Sequence, residues 1–117
     1  MAYDDRLASR VRQLLGERTD VTERRMFGGL TFMVSGHMCC GINTDELILR
    51  LGPDAEETAL RSPHARPMDF TRRPMRGFVT IAPDGLNGKS LDRWIAHAVA
   101  HAESLPPKPS QAEPPAR

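Results

Sequence analysis

Between Val21 and Leu51, short apolar segments are interrupted by Gly28-Gly29, Ser35-Gly36 and Asn43-Thr44-Asp45, residue types that reverse a chain within two or three positions. Segments this short cannot hold a useful helix, so the stretch is expected to fold as an antiparallel meander of four strands. A register with Phe27 opposite Leu30, Val34 opposite His37 and Ile42 opposite Glu46 decides which side chains share a face. Phe27, Leu30, Phe32, Val34, Cys39, Leu47, Leu49 and Leu51 then form one nearly uniform apolar face. Arg24, Met26, Thr31, Met33, Met38, Cys40, Ile42, Ile48 and Arg50 fall on the other, which carries more sulfur and aliphatic surface than a solvated sheet face needs.

An apolar sheet face has to be covered. From Asp4 to Leu15, Leu7, Val11, Leu14 and Leu15 recur at the spacing of one helical face, with Asp4 and Asp5 at its positive end and Gly16 as its stop. A second amphipathic helix is expected from Leu91 to Glu103, carrying Trp94, Ile95, Ala98, Val99 and Ala102 on its stripe and Ser90 as its N-cap. Pro53 opens a shorter helix over 54–61, and Gly77-Phe78-Val79-Thr80-Ile81 reads as a fifth strand. The order implies an α+β domain of two layers, an antiparallel sheet of about five strands with helices on one face. Five of the ten prolines lie after Leu105, in a segment without apolar residues to bury, so the domain is expected over 1–105 and a disordered tail over 106–117.

Charge and composition limit what such a domain does. Sixteen basic and fifteen acidic residues leave a net charge of +1, which removes the basis for gripping nucleic acid or an anionic membrane with the whole surface. No apolar run is long enough to span a membrane, and the acidic start at Asp4-Asp5 differs from a secretory leader, so a cytoplasmic protein with free thiols is expected.

His37-Met38-Cys39-Cys40 is the one cluster whose residue types suit metal or redox chemistry. On a regular strand Cys39 and Cys40 point to opposite faces, leaving only His37 and Cys39 together, and a closed site would need further ligands from His64, His97 or His101. Packing is the expected role of both cysteines, with Cys40 the more accessible, and no metal, cofactor or catalytic residue is assigned. His97 and His101 are expected on a solvated helix flank. The segment 61–76 holds Arg61, Arg66, Arg72, Arg73 and Arg76 against Asp69 alone, making Arg66, Arg72, Arg73 and Arg76 the candidate anion contacts, in a loop stiffened by Pro63, Pro67 and Pro74. Met33, Met38 and Ile48 on the uncovered sheet face are the candidate partner contacts, and they predict a homodimer or a bound protein partner.

Arg25-Met26-Phe27-Gly28-Gly29-Leu30, Gly36-His37-Met38-Cys39-Cys40-Gly41, Leu49-Arg50-Leu51-Gly52, Pro67-Met68-Asp69-Phe70 and Arg73-Pro74-Met75-Arg76-Gly77-Phe78 occur in that order. Together they resemble the TfoX (Sxy) N-terminal-domain family, over about Asp4 to Leu105. The resemblance implies a small α+β domain similar to secretion-chaperone-like folds, in a family named after a bacterial competence regulator. Full-length regulators carry a second, C-terminal domain, which this chain is expected to lack. A non-enzymatic regulatory or protein-interaction domain is therefore the expected function, with a nucleic-acid-associated module using the arginine-rich loop as the alternative.

Overall fold

A computed structural model describes residues 3–16, 18–26, 29–67 and 76–105 of the chain. The meander is present: β1 (Val21–Met26), β2 (Gly29–Val34), β3 (His37–Asn43) and β4 (Glu46–Arg50) pair in succession, all antiparallel. Helix α1 (Asp5–Leu15) precedes them, and α2 (Pro53–Ala59), β5 (Ala65–Pro67), β6 (Phe78–Ile81) and α3 (Lys89–Ser104) follow, with a 3-10 turn over Pro83–Gly85. Among the described residues the sheet has six strands, in the order β1-β2-β3-β4-β6-β5. β5, inside the stretch expected to be a loop, is the additional strand; it is an edge strand of three residues ending at Pro67, a residue that edges tolerate because it has no N–H to donate.

The turns differ in detail from expectation. Ser35 and Gly36 both have positive φ, 51° and 85°, the conformation that matches the twist of a two-residue hairpin, and Val34 faces His37 as predicted. Met26 pairs with Gly29, so Gly29 belongs to β2 and not to the turn; Phe27 lies outside the described residues. A side chain at Gly29 would overlap the Ile42 carbonyl, which explains glycine there. Asn43 faces Glu46 and Ile42 faces Leu47, one residue later than expected, which confines the third turn to Thr44 and Asp45. Ile42 lies on the helix-covered face, between Leu30 and Leu47, and not on the outer face where it was expected.

One core joins the helices to the sheet. Leu7, Ala8, Val11 and Leu15 of α1 and Leu91, Ile95, Ala98 and Ala102 of α3 bury against Leu30, Phe32, Val34, Leu47, Leu49, Val79 and Ile81. Removal of this apolar surface from water is the main favourable contribution to folding. Asp4 caps α1 by accepting the Arg6 and Leu7 N–H groups at 2.8 and 3.1 Å. α3 starts earlier than expected, at Lys89, with Gly88 at its N-cap and Ser90 inside its first turn. α2 stops at Ala59. No helix among the described residues is long and apolar enough to cross a membrane.

Candidate functional site

β3 departs from regular pairing where the sulfur cluster lies. Phe32 faces Cys40 and Met33 faces Met38, so Cys39 is an extra residue with no partner position on β2, a β-bulge. Beyond it the alternation of faces is reset. Cys40, expected on the opposite face, instead sits between Phe32 and Leu49 under the helices, and Cys39 is buried as well. The expectation that Cys40 is the accessible thiol is thereby overturned. The two thiols are close enough to hydrogen-bond: the bond from Cys40, more than the nearby Arg18 charge, holds Cys39 below the ordinary thiol range, while the same bond and complete burial push Cys40 well above it.

His37 is buried on the same face, beside Val34. Among the described residues, no three His, Cys, Asp or Glu side chains converge closely enough to hold a metal ion, so His37 and Cys39 gain no further ligands. His101 is half-buried and not on a solvated flank: its ring lies over Gly52, where a Cβ would approach it to 2.7 Å, and Gly52 itself has a φ of 89°. Burial, with the Arg50 and His37 charges, holds His101 below the ordinary imidazole range. His97 is exposed.

Two of the four arginine candidates, Arg66 and Arg76, lie among the described residues. Arg66 forks onto Glu46 through two bonds of 2.7 Å, Arg61 and Arg76 are exposed, and Arg72 and Arg73 lie outside the described residues. Glu56 accepts the Gly77 N–H at 2.8 Å.

The sheet face away from the helices carries Thr31, Met33, Met38, Gly41, Ile48 and Thr80 at its centre, none of them charged. Met33 and Ile48 are only 8% and 9% exposed, so the open apolar patch expected there is largely shielded. Met38, Arg50 and Phe78 remain half-buried at one end of this face, where β3 and β6 begin and β4 ends, and the Arg50 guanidinium lies 5.8 Å from the centre of the Phe78 ring. Arg50 and Phe78 were not linked by any motif; only their pairing across β4 and β6 brings them together.

On the helical side, a cleft of about 320 Å³ opens beside α3. Ser90, Arg93, Trp94 and His97, spaced as one face of that helix, form one wall. His64 and Asp84 face them from the turn before β5 and from the 3-10 turn.

A match to the family model of the TfoX N-terminal domain covers residues 13–102, from the last part of α1 to the last turn of α3. The chain belongs to the TfoX N-terminal domain family. The match takes in the whole sheet, both sheet faces and the cleft, so the family signature belongs to this fold as a unit. No curated protein and no solved structure gives a significant match.

Proposed function

We propose that this TfoX N-terminal domain is a non-enzymatic regulatory module that acts by binding a protein partner, through the end of the sheet face that carries Met38, Arg50 and Phe78. The observation behind this reading is the composition and exposure of that strip. Methionine, arginine and aromatic residues are enriched in protein interfaces, and here one of each stands half-buried on adjacent strands, beside an uncharged sheet centre. A sheet face meant only for water is usually polar along its middle. The family name points toward regulation, since it derives from a competence regulator. The engagement of Arg66 by Glu46 takes one cation away from the competing nucleic-acid reading.

The test is affinity capture from native lysate with the full chain and with Met38→Lys, each with and without nuclease. Partners that survive nuclease and are lost with Met38→Lys, at an unchanged melting temperature, support the proposal. Capture of the same partners by both proteins, or loss of every partner on nuclease treatment, overturns it.

A further inference from the structure

The cleft beside α3 is separate from the sheet face invoked above, and it contains charged groups that no ion pair among the described residues uses. We propose that it is a binding site for a small ligand that carries an anionic oxygen group, carboxylate or phosphate, on an aromatic body.

Polar groups in the cleft are unequal in kind. Arg93 supplies a guanidinium fork, Trp94 an indole N–H, and His64 and His97 imidazoles, against the single carboxylate of Asp84. Among the described residues, neither Arg93 nor Asp84 enters an ion pair, although the other ion pairs of the fold show that arginines here find carboxylates where geometry allows. A guanidinium with its fork uncommitted, in a concave site with further N–H donors, matches the planar oxygens of a carboxylate or the oxygens of a phosphate. Trp94 adds a flat apolar wall, which favours an aromatic ring over an aliphatic chain as the ligand body.

The walls are also fixed before any ligand arrives. The His64 carbonyl accepts the Ala82 N–H at 2.9 Å, and the Ser62 hydroxyl accepts the His64 N–H at 3.3 Å. A Cβ on Gly85 would lie 2.6 Å from the His64 Cβ, so the turn and the 3-10 segment are in close contact along the cleft floor. On the opposite wall, Trp94 and Ser90 are half-buried on a helix anchored by Leu91, Ile95 and Ala98 in the core. A site whose walls are already held loses less freedom when it binds.

Trp94 is the only tryptophan of the chain, so its indole N–H gives one unambiguous nuclear magnetic resonance signal inside the proposed site. Benzoate, phenyl phosphate and benzylamine are titrated into the full-length protein and that signal is followed. Saturable shifts with benzoate, phenyl phosphate or both, and none with benzylamine, support the site, and the relative affinity of the two anions identifies which oxygen group it takes. Arg93→Gln should weaken binding by about 10- to 100-fold, the cost of one charge-assisted contact, with Arg93→Lys between the two. Because Arg93 is exposed, neither change threatens the fold. Absence of a saturable shift up to about 10 mM of both anions, well above the dissociation constant of order 1 mM reached by weak small ligands, overturns the proposal. So does an equal response to benzylamine, or an unchanged affinity in Arg93→Gln.

Discussion

At Cys39 the chain inserts one residue that β2 does not match, and the consequences reach both neighbours. A regular strand would send Cys40 to the outer face; the bulge turns it inward, so both thiols are fully shielded and touch. Native protein is therefore expected to react with a thiol reagent at neither cysteine on the timescale of an exposed thiol, and to release both on addition of denaturant. Labelling followed by mass spectrometry reads this directly, and one thiol that reacts rapidly in the native state would contradict the bulged geometry. Cys40→Ala, which empties a slot between Phe32 and Leu49, should cost about 1 to 2 kcal/mol in denaturant unfolding. The bulge leaves no trace in the order of residue types, because Met38-Cys39-Cys40-Gly41 reads as a continuous strand and only the pairing with β2 reveals the extra residue. The next hairpin shows the same limit: turn composition located the reversal but not the pairing of Asn43 with Glu46, and Ile42, two residues beyond Cys40, is turned inward by the bulge.

Elements built on a strong local signal were legible, and α1 shows why. Its apolar stripe, its acidic start and its glycine stop agree with one another, and each acts within a few residues. Asp4 is the part of that signal with a measurable energy. Asp4→Ala removes the acceptor for the Arg6 and Leu7 N–H groups and should destabilise the domain by about 1 kcal/mol, while Asp4→Asn should cost less because it still accepts. Urea unfolding of the two variants checks this, and equal stability of Asp4→Ala and the parent would show that the cap contributes nothing. β5 was not legible, because three residues that end in proline carry no period of their own and gain strand geometry only by pairing with β6. The cleft was legible by half. Ser90, Arg93, Trp94 and His97 fall at helical spacing, whereas His64 and Asp84 come to it only through the contact between Gly85 and His64. Met38, Arg50 and Phe78 likewise meet through the insertion of β6 beside β4, which sequence order does not announce.

Across the whole molecule, charged and titrating groups connect segments far apart in the chain, and this gives stability a two-step dependence on pH. Arg18 bridges Asp20 and Glu103, joining the start of the sheet to the end of α3, while Arg12 holds Glu23 and Arg66 holds Glu46. Arg18 and Ser35 lower the Asp20 carboxyl, Arg12 lowers Glu23 and Arg66 lowers Glu46, so each native carboxylate resists protonation more than the unfolded chain does. Their contribution is present above the ordinary values of 3.8 for Asp and 4.5 for Glu and is lost as pH falls below them; it stays modest, because these pairs are partly solvated. His101 acts in a different window. Its burial over Gly52, together with Arg50 and His37, lowers its native pKa below the ordinary 6.5, so the unfolded chain binds this proton first as pH drops. Stability is thus expected to decline already from about pH 6.5 downward, before the carboxylates respond near pH 4. Thermal unfolding from pH 8 to pH 3 should show both steps, and His101→Gln, which cannot titrate, should flatten the first and leave the second. A melting temperature that is level between pH 7 and pH 5 in the parent protein, or a first step that persists in His101→Gln, would place the proton-sensitive contact elsewhere than between α3 and the Gly52 turn.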